Sequence, residues 1–203
     1  MPVITKITPQ LKNKDLFSIF VDGKFFCGLN GLAIGSFDLK TGQEISSTQL
    51  NKILESSSKS KAYERSLHYL SFRPRSIFEI RQYLIKKAYP EKIIDSTVDK
   101  LVKQGMLNDQ SFCESWVNSR DLIKPTSSRR LFLELTSKGV DKEVIRQVLD
   151  ARGGEAEIDN LKSIIKKKTA RLTNDKLIEF LARRGYKYQD IKLALDDLSA
   201  QSD

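Results

Sequence analysis

Three stretches of this chain repeat one another, and a repeat of this length narrows what the chain can fold into. Take Ser76, Ser127 and Thr173 as equivalent starting points. Four positions on stand Ile80, Leu131 and Leu177, and eight on stand Leu84, Leu135 and Leu181. Eleven on are Lys87, Lys138 and Arg184, and twelve on are Ala88, Gly139 and Gly185. Beyond that turn Ile94, Ile145 and Ile191 correspond, then Val98, Leu149 and Leu195. The offsets from 76 to 127 and from 127 to 173 are 51 and 46 residues. Apolar residues four apart line one face of a helix, and a basic then a small residue is how helices commonly end. Each unit is too small to bury its apolar faces alone, so the units gain stability by packing on one another.

The middle unit, Met106 to Leu149, is the most clearly punctuated. Asn108-Asp109 offers an N-cap, because a short polar side chain there accepts the unpaired amides of a first turn. Phe112 and Trp116 share a face, with Arg120 one turn further on. Lys124-Pro125 stops that helix, and Thr126, Ser127 and Ser128 supply the cap of the next. Leu131 and Leu135 form its apolar edge, and Gly139 ends it at a left-handed position. Asp141 caps a third helix carrying Val144, Ile145, Val148 and Leu149. In the first unit Ser76-Ile-Phe-Glu79 reads as a capping box. Ile77, Ile80 and Leu84 are expected to face the core, with Arg75, Gln82 and Lys86 projecting opposite. Pro90 suits a first helical position. Gly153-Gly154 loosens the entry to the third unit, whose first helix carries Leu161, Ile164 and Ile165 and ends in Lys166-Lys167-Lys168.

Upstream the pattern changes to strands. Leu16–Val21 and Lys24–Cys27 flank Asp22-Gly23, which favours a tight type I′ hairpin. Val3, Ile4 and Ile7 supply a third strand before Pro9 and the polar Lys12-Asn13-Lys14-Asp15 turn. A short helix is expected near Gly31–Phe37, and another from Ser46 or Ser47 carrying Leu50, Ile53 and Leu54. Ser56–Lys61 reads as a polar joint and marks the domain boundary. The fold class is therefore mainly α. A small N-terminal domain containing a β-hairpin (1–58) precedes three tandem three-helix repeats (59–107, 108–150 and 151–203) in an elongated curved array.

Charge narrows the function. The net charge of +9 points to an acidic or polyanionic partner. Residues 1–58 hold 6 Lys+Arg against 5 Asp+Glu, residues 59–150 hold 18 against 12, and residues 151–203 hold 11 against 9. All eight arginines before residue 151 lie in the middle segment, so the partner surface is expected there. Arginine's planar fork grips phosphate or carboxylate at two points. Arg65, Arg73, Arg75 and Arg81 gather around the first unit, and Arg120, Lys124, Arg129 and Arg130 around the second. Arg120 also admits a structural reading, bonded to helix ends, and Trp116 reads as core.

Signs of catalysis are missing. The single histidine, His68, has no nearby serine–acid or cysteine arrangement. Gly28, Gly31 and Gly35 fit neither phosphate-loop spacing. Cys27 and Cys113 read as reduced, buried thiols of a cytosolic protein. No metal, cofactor or catalytic residue is expected. No apolar run spans a bilayer, and the start MPVITKITPQ lacks a secretory pattern. The expectation is a cytoplasmic monomer that is not an enzyme.

Specific motifs carry a resemblance. These are Tyr69-Leu-Ser-Phe-Arg-Pro-Arg-Ser76 with Glu79-Ile80, and Gly105-Met-Leu-Asn-Asp109 with Phe112, Trp116, Ser119 and Arg120. Leu133-Glu-Leu135 with Lys138-Gly-Val140 completes the set. Together they resemble the RecX family, regulators of the RecA recombinase, over residues 62–150 and more weakly through the third unit. Ala88-Tyr89 departs from the Lys-Gly helix end usual in the family, and Cys113 stands where alanine is common. The resemblance implies a protein of recombination, DNA repair and the SOS response that lodges in the groove of the RecA–single-stranded DNA filament. There it would inhibit recombinase and coprotease activity, with contact to single-stranded DNA weak or indirect. Since the family has no catalytic motif, the candidate partner residues rest on charge: Arg73, Arg75, Arg81, Lys86, Lys87, Arg120, Lys124, Arg129, Arg130, Lys166, Lys167 and Lys168. The alternative is a direct DNA-binding protein of helix-turn-helix type, which would want basic and amide side chains on one exposed helix. Glu91–Gln104 and Asp141–Leu149 are instead mixed in sign.

Overall fold

The computed structural model describes residues 1–11, 14–169 and 171–200, so the Lys12-Asn13 part of the expected turn lies outside the described residues. The chain divides into two compact units, residues 1–73 with 81–104 and residues 74–80 with 105–203.

The first unit opens with an antiparallel sheet in the order β1 (Ile4–Pro9), β2 (Leu16–Val21), β3 (Lys24–Asn30). Asp22 and Gly23 take φ of 48° and 77°, the left-handed pair that the type I′ turn requires. Alternation along the strands buries Ile4, Ile19, Cys27 and Leu29 on one face, where Leu39, Ile45 and Ile53 close the core. The short helix α1 (Gly31–Ser36) follows, capped by Asn30 Oδ1 accepting from Ala33 N at 2.8 Å.

Helix α2 (Ser47–Ser71) starts in a capping box between Ser46 and Gln49 and runs unbroken for 25 residues. This corrects the reading of Ser56–Lys61 as a joint: the stretch is helical throughout. Its serines are packing residues. Ser57 is buried, and its hydroxyl donates to the Gly28 carbonyl of β3 at 2.7 Å. Ser66 is also buried and bonds back to the Ala62 carbonyl at 2.8 Å. Small side chains here let α2 approach both the sheet and α4 (Glu91–Lys103). Lys92 Nζ lies 3.2 Å from Glu55, and Lys100 Nζ lies 4.0 Å from the centroid of the Tyr63 ring, so α4 runs alongside α2. Pro90 is the N-cap of α4 rather than its first helical residue, with φ −61° and ψ 149°.

The second unit holds α5 (Asp109–Ile123), α6 (Ser128–Ser137), α7 (Lys142–Lys168), α8 (Asn174–Arg183) and α9 (Tyr188–Ala200). Helix α3 (Ile77–Lys86) begins in this unit, which includes its first turn, and continues in the first. Asn108 caps α5, Ser127 caps α6 and Asp141 caps α7, each by a side-chain oxygen accepting first-turn amides. Such a cap contributes about 1 kcal/mol. Phe112, Cys113, Val117, Leu131, Leu135, Val140, Ile145 and Val148 form the core of one repeat. Leu161, Ile164, Ile165, Leu177, Leu181, Tyr186, Ile191 and Ala194 form that of the next. Helix α7 serves both repeats, bent at Gly153, whose φ of 75° and ψ of 160° are not helical.

The repeats are fastened by one recurring contact. Ser76 Oγ accepts from Glu79 N at 3.1 Å and donates to the Lys138 carbonyl at 2.6 Å. Ser127 Oγ accepts from Arg130 N at 3.3 Å and donates to the Arg184 carbonyl at 2.8 Å. In both cases the N-cap serine of one repeat's second helix also satisfies the C-terminal turn of the following repeat's second helix. Those turns otherwise leave carbonyls without partners. Around Ser76 the fastening is extended: Asp109 accepts from Ile77 N at 2.8 Å, and Lys138 Nζ meets Glu79 at 3.0 Å. Thr173, at the equivalent place in the third repeat, makes no side-chain cap bond.

Candidate arginine-lined interface

The basic residues expected to meet a partner are not equally free to do so. Arg81 Nη2 is ion-paired with Asp95 at 2.5 Å, and Arg73 and Arg75 are half-buried, so Arg75 does not project as expected. Lys86 and Lys87 are exposed at the end of α3, Lys87 near the Tyr83 ring. Arg120 is structural, as one reading had it, but its partner is a carboxylate rather than a helix end. Its Nε donates to Glu134 at 2.9 Å, and its guanidinium lies 4.9 Å from the centroid of the Trp116 ring. Trp116 packs against the core and donates its Nε1–H to the same Glu134 at 3.1 Å. Lys166, Lys167 and Lys168 occupy the last turn of α7, where positive charge complements the helix dipole.

Lys124, Arg129 and Arg130 are brought together, and two further arginines join them. Arg129 and Arg130, in the first turn of α6, face Arg183 and Arg184 at the end of α8 across an open groove of about 530 Å³. Leu133, Glu134, Ser137, Ala182 and Gly185 complete its lining. A smaller depression of about 180 Å³ continues it past Arg130 and Arg184 to Lys124, Pro125 and Thr126. Sequence reasoning passed over Arg183 and Arg184. The available signal was the repeat alignment, which gives Arg184 the position of Lys87 and Lys138.

The serine fastening joins the two walls, because Ser127, at the α6 N-terminus beside Arg129 and Arg130, bonds the carbonyl of Arg184 at the α8 C-terminus. A half-buried cluster centred on Arg152 fixes the first turn of α6. The Arg152 side chain is only 4% exposed and grips Asp121 at two points, 2.8 and 3.0 Å. It also donates to Ser128 Oγ at 2.9 Å and to the Thr126 carbonyl at 3.3 Å. Glu157 accepts from the Ser128 amide at 3.2 Å and from its hydroxyl, and Asn160 donates to Asp121 at 2.7 Å. Nearly every charge in this cluster has a partner, which is what makes it tolerable away from water. The Tyr186 hydroxyl is buried without a hydrogen bond among the described residues, and burial, with Glu157 adding, pushes its pKa up to about 12.

The groove is strongly positive. Among the described residues Glu134 is its one acidic lining residue, and Arg120 and Trp116 already engage it, leaving Arg130 a longer contact at 3.5 Å. Arg183 meets exposed Glu179 at 3.3 Å, a solvent-screened pair worth little. Such an arrangement can bind anions. Cys113, the buried thiol of the α5 core, is pushed up to about 11 by desolvation and nearby carboxylates, which keeps it protonated and inert. Among the described residues no group of His, Cys, Asp and Glu could hold a metal ion, and no helix is long and apolar enough to cross a membrane.

Comparison with known proteins adds a consistent set of likenesses. Family models match in chain order: the regulatory protein RecX N-terminal domain over residues 2–46, the first RecX three-helix domain over 62–101, and the second over 108–149. The chain is 32% identical over 210 residues to a regulatory protein RecX of Bacillus velezensis, across 100% of this chain and 80% of that protein. The figure is 30% for the corresponding protein of Bacillus subtilis, with the same coverage. A crystal structure of a regulatory protein RecX superposes with a TM-score of 0.76 at 23% identity, over 97% of this chain and 100% of the other. That of RecX from Lactobacillus salivarius gives 0.65 at 21% identity, over 70% and 97%, and these two likenesses bear on the fold alone.

Proposed function

Because the chain belongs to the RecX family of regulatory proteins, we propose that it binds a RecA–single-stranded DNA filament and lowers its recombinase, ATPase and coprotease activities. The observation that carries this reading is the ordered match of the N-terminal sheet and both three-helix domains to that family. The arginine-lined groove supports it physically, since a filament-binding regulator without catalytic groups must act through a surface. Exposed Lys86, Lys87, Lys124, Arg129 and Arg130 are the proposed contacts, to which the groove adds Arg183 and Arg184. Arg73, Arg75, Arg81 and Arg120 are proposed as supporting residues instead. A helix-turn-helix reader of DNA fits less well, because α4 alternates Glu91, Asp95 and Asp99 with Lys92, Lys100 and Lys103.

The test is the single-stranded-DNA-dependent ATPase of the cognate RecA at physiological salt. Hydrolysis should fall with less than one protein per RecA, and Arg129→Glu/Arg130→Glu should relieve that inhibition at least tenfold while leaving the helical circular dichroism unchanged. Inhibition that begins only once the DNA is coated would assign the effect to competition for DNA. An unaltered rate at every ratio would remove the recombinase reading.

A further inference from the structure

The groove between α6 and α8 has features that distinguish one anionic partner from another. Four guanidinium groups line it, two from each wall, and Leu133 stands among them 61% exposed. Leu133 follows Arg130 by three positions and Arg129 by four, so the three share one face of α6. No aromatic residue is among those described as lining the groove. Two rings on the helices bearing or adjoining the lining, Trp116 of α5 and Phe180 of α8, already carry cations near their faces. Arg120 and Lys138 lie 4.9 and 5.3 Å from the centroid of Trp116, and Arg184 and Lys168 lie 4.6 and 5.7 Å from that of Phe180. A single-stranded nucleic acid draws much of its affinity from bases stacked on open rings, and it would find none here. Planar guanidinium forks suit carboxylates equally well, and an exposed leucine among them favours a chain that offers an apolar side chain between its acids.

We propose that this groove binds an acidic protein segment, with Arg129, Arg130, Arg183 and Arg184 gripping Asp or Glu carboxylates and Leu133 receiving an interspersed apolar side chain. The volume of about 530 Å³ gives room for a few side chains, which describes a short linear segment rather than a folded surface. The inference rests on the reading of this chain as a protein-binding regulator, and it specifies what the bound partner must present.

The experiment uses the full chain alone, without RecA or DNA, and a fluorescein-labelled dodecapeptide of alternating Glu-Asp-Leu triplets, read by fluorescence anisotropy at about 150 mM salt, where distant surface charges are screened. Saturable binding is expected. Arg129→Ala/Arg183→Ala should weaken it at least tenfold, and the charge-keeping Arg129→Lys/Arg183→Lys should weaken it severalfold because the two-point grip is lost. Leu133→Ser, or serine in place of the peptide's leucines, should each weaken it severalfold, and the two together no further. A twelve-nucleotide oligothymidylate should displace the peptide only at far higher concentration. An oligothymidylate that competes as well as unlabelled peptide would make the groove a phosphate track and overturn the proposal. So would the absence of saturable binding, or binding unchanged in the folded alanine pair. Each of these three failures leaves the ATPase result standing, and failure of the ATPase assay leaves peptide binding to be read for itself.

Discussion

Gly139, Gly185 and Ala88 occupy one repeat position, and all three are left-handed, with φ of 73°, 88° and 58°. At the two glycines a second demand is added. A Cβ at Gly139 would stand 2.3 Å from Phe78 Cγ, and one at Gly185 would stand 2.8 Å from Ser127 Oγ. Ala88 is exposed, so its methyl bears only the left-handed penalty, about 1 kcal/mol. Ala88→Gly should therefore leave stability unchanged or raise it by up to about 1 kcal/mol, the relief of strain being offset by added freedom of the unfolded chain. Gly139→Ala should cost about 3 kcal/mol, because the Phe78 ring base must shift as well. Urea unfolding measures both, and a Gly139→Ala cost no larger than the backbone penalty would show that Phe78 does not constrain this turn. The helix-ending role of these positions was legible in the sequence, since a basic residue followed by a small one recurs three times. What presses on them was not. Phe78 and Ser127 reach their glycines only through the stacking of one repeat on the next, which local patterning does not encode.

Helices α2 and α7 show where local patterning misleads and where it serves. The serine-rich run from 56 to 60 has the composition of a linker, yet it lies inside α2, where a larger side chain at Ser57 would hold the helix off β3. Composition alone cannot separate a small residue that packs from one that bends, because both roles want little bulk. In α7 the adjacent glycines differ in the same way. Gly153 holds φ 75° and ψ 160°, a region almost closed to residues with a Cβ, whereas Gly154 has open space around the position of a Cβ and no positive φ. Gly154→Ala should thus stabilise the protein by about 0.5–1 kcal/mol through helix propensity. Gly153→Ala should destabilise it by about 1–3 kcal/mol, the cost of strain at such a position. Thermal unfolding followed at 222 nm separates the two substitutions. Equal effects in the same direction would mean that the bend is not anchored at Gly153. The expectation of a loosened entry to the third repeat was sound in place, while the single glycine that carries it could not be picked from a pair.

Across the molecule the same few residues both hold repeats together and shape the candidate site, and so stability and recognition share a physical origin. Ser127 caps α6, satisfies the end of α8 and thereby sets Arg129 and Arg130 opposite Arg183 and Arg184. The arginine groove was only half legible beforehand for this reason: Lys124, Arg129 and Arg130 lie close in sequence, but Arg183 and Arg184 belong to the next repeat and meet them where that repeat stacks on α6. In a stacked-repeat protein each unit is stabilised by its neighbour, and weakening one joint should uncouple the unit beyond it. Ser127→Ala removes the bond to the Arg130 amide and leaves the Arg184 carbonyl unpaired, a combined loss of about 2 kcal/mol. Thr173→Ala, where no side-chain cap bond exists, should cost only a few tenths of that. Trp116 is the single tryptophan and packs against the core of the second repeat, so its fluorescence follows that repeat, whereas circular dichroism follows every helix. In the unaltered chain both signals should lose structure together in urea. In Ser127→Ala the circular dichroism should begin to fall at lower urea than the fluorescence, as α8 and α9 melt first. Coincident transitions in that variant, or an equal loss of stability in Thr173→Ala, would show that the serine bond is a local cap and that the repeats are coupled by their apolar contacts alone.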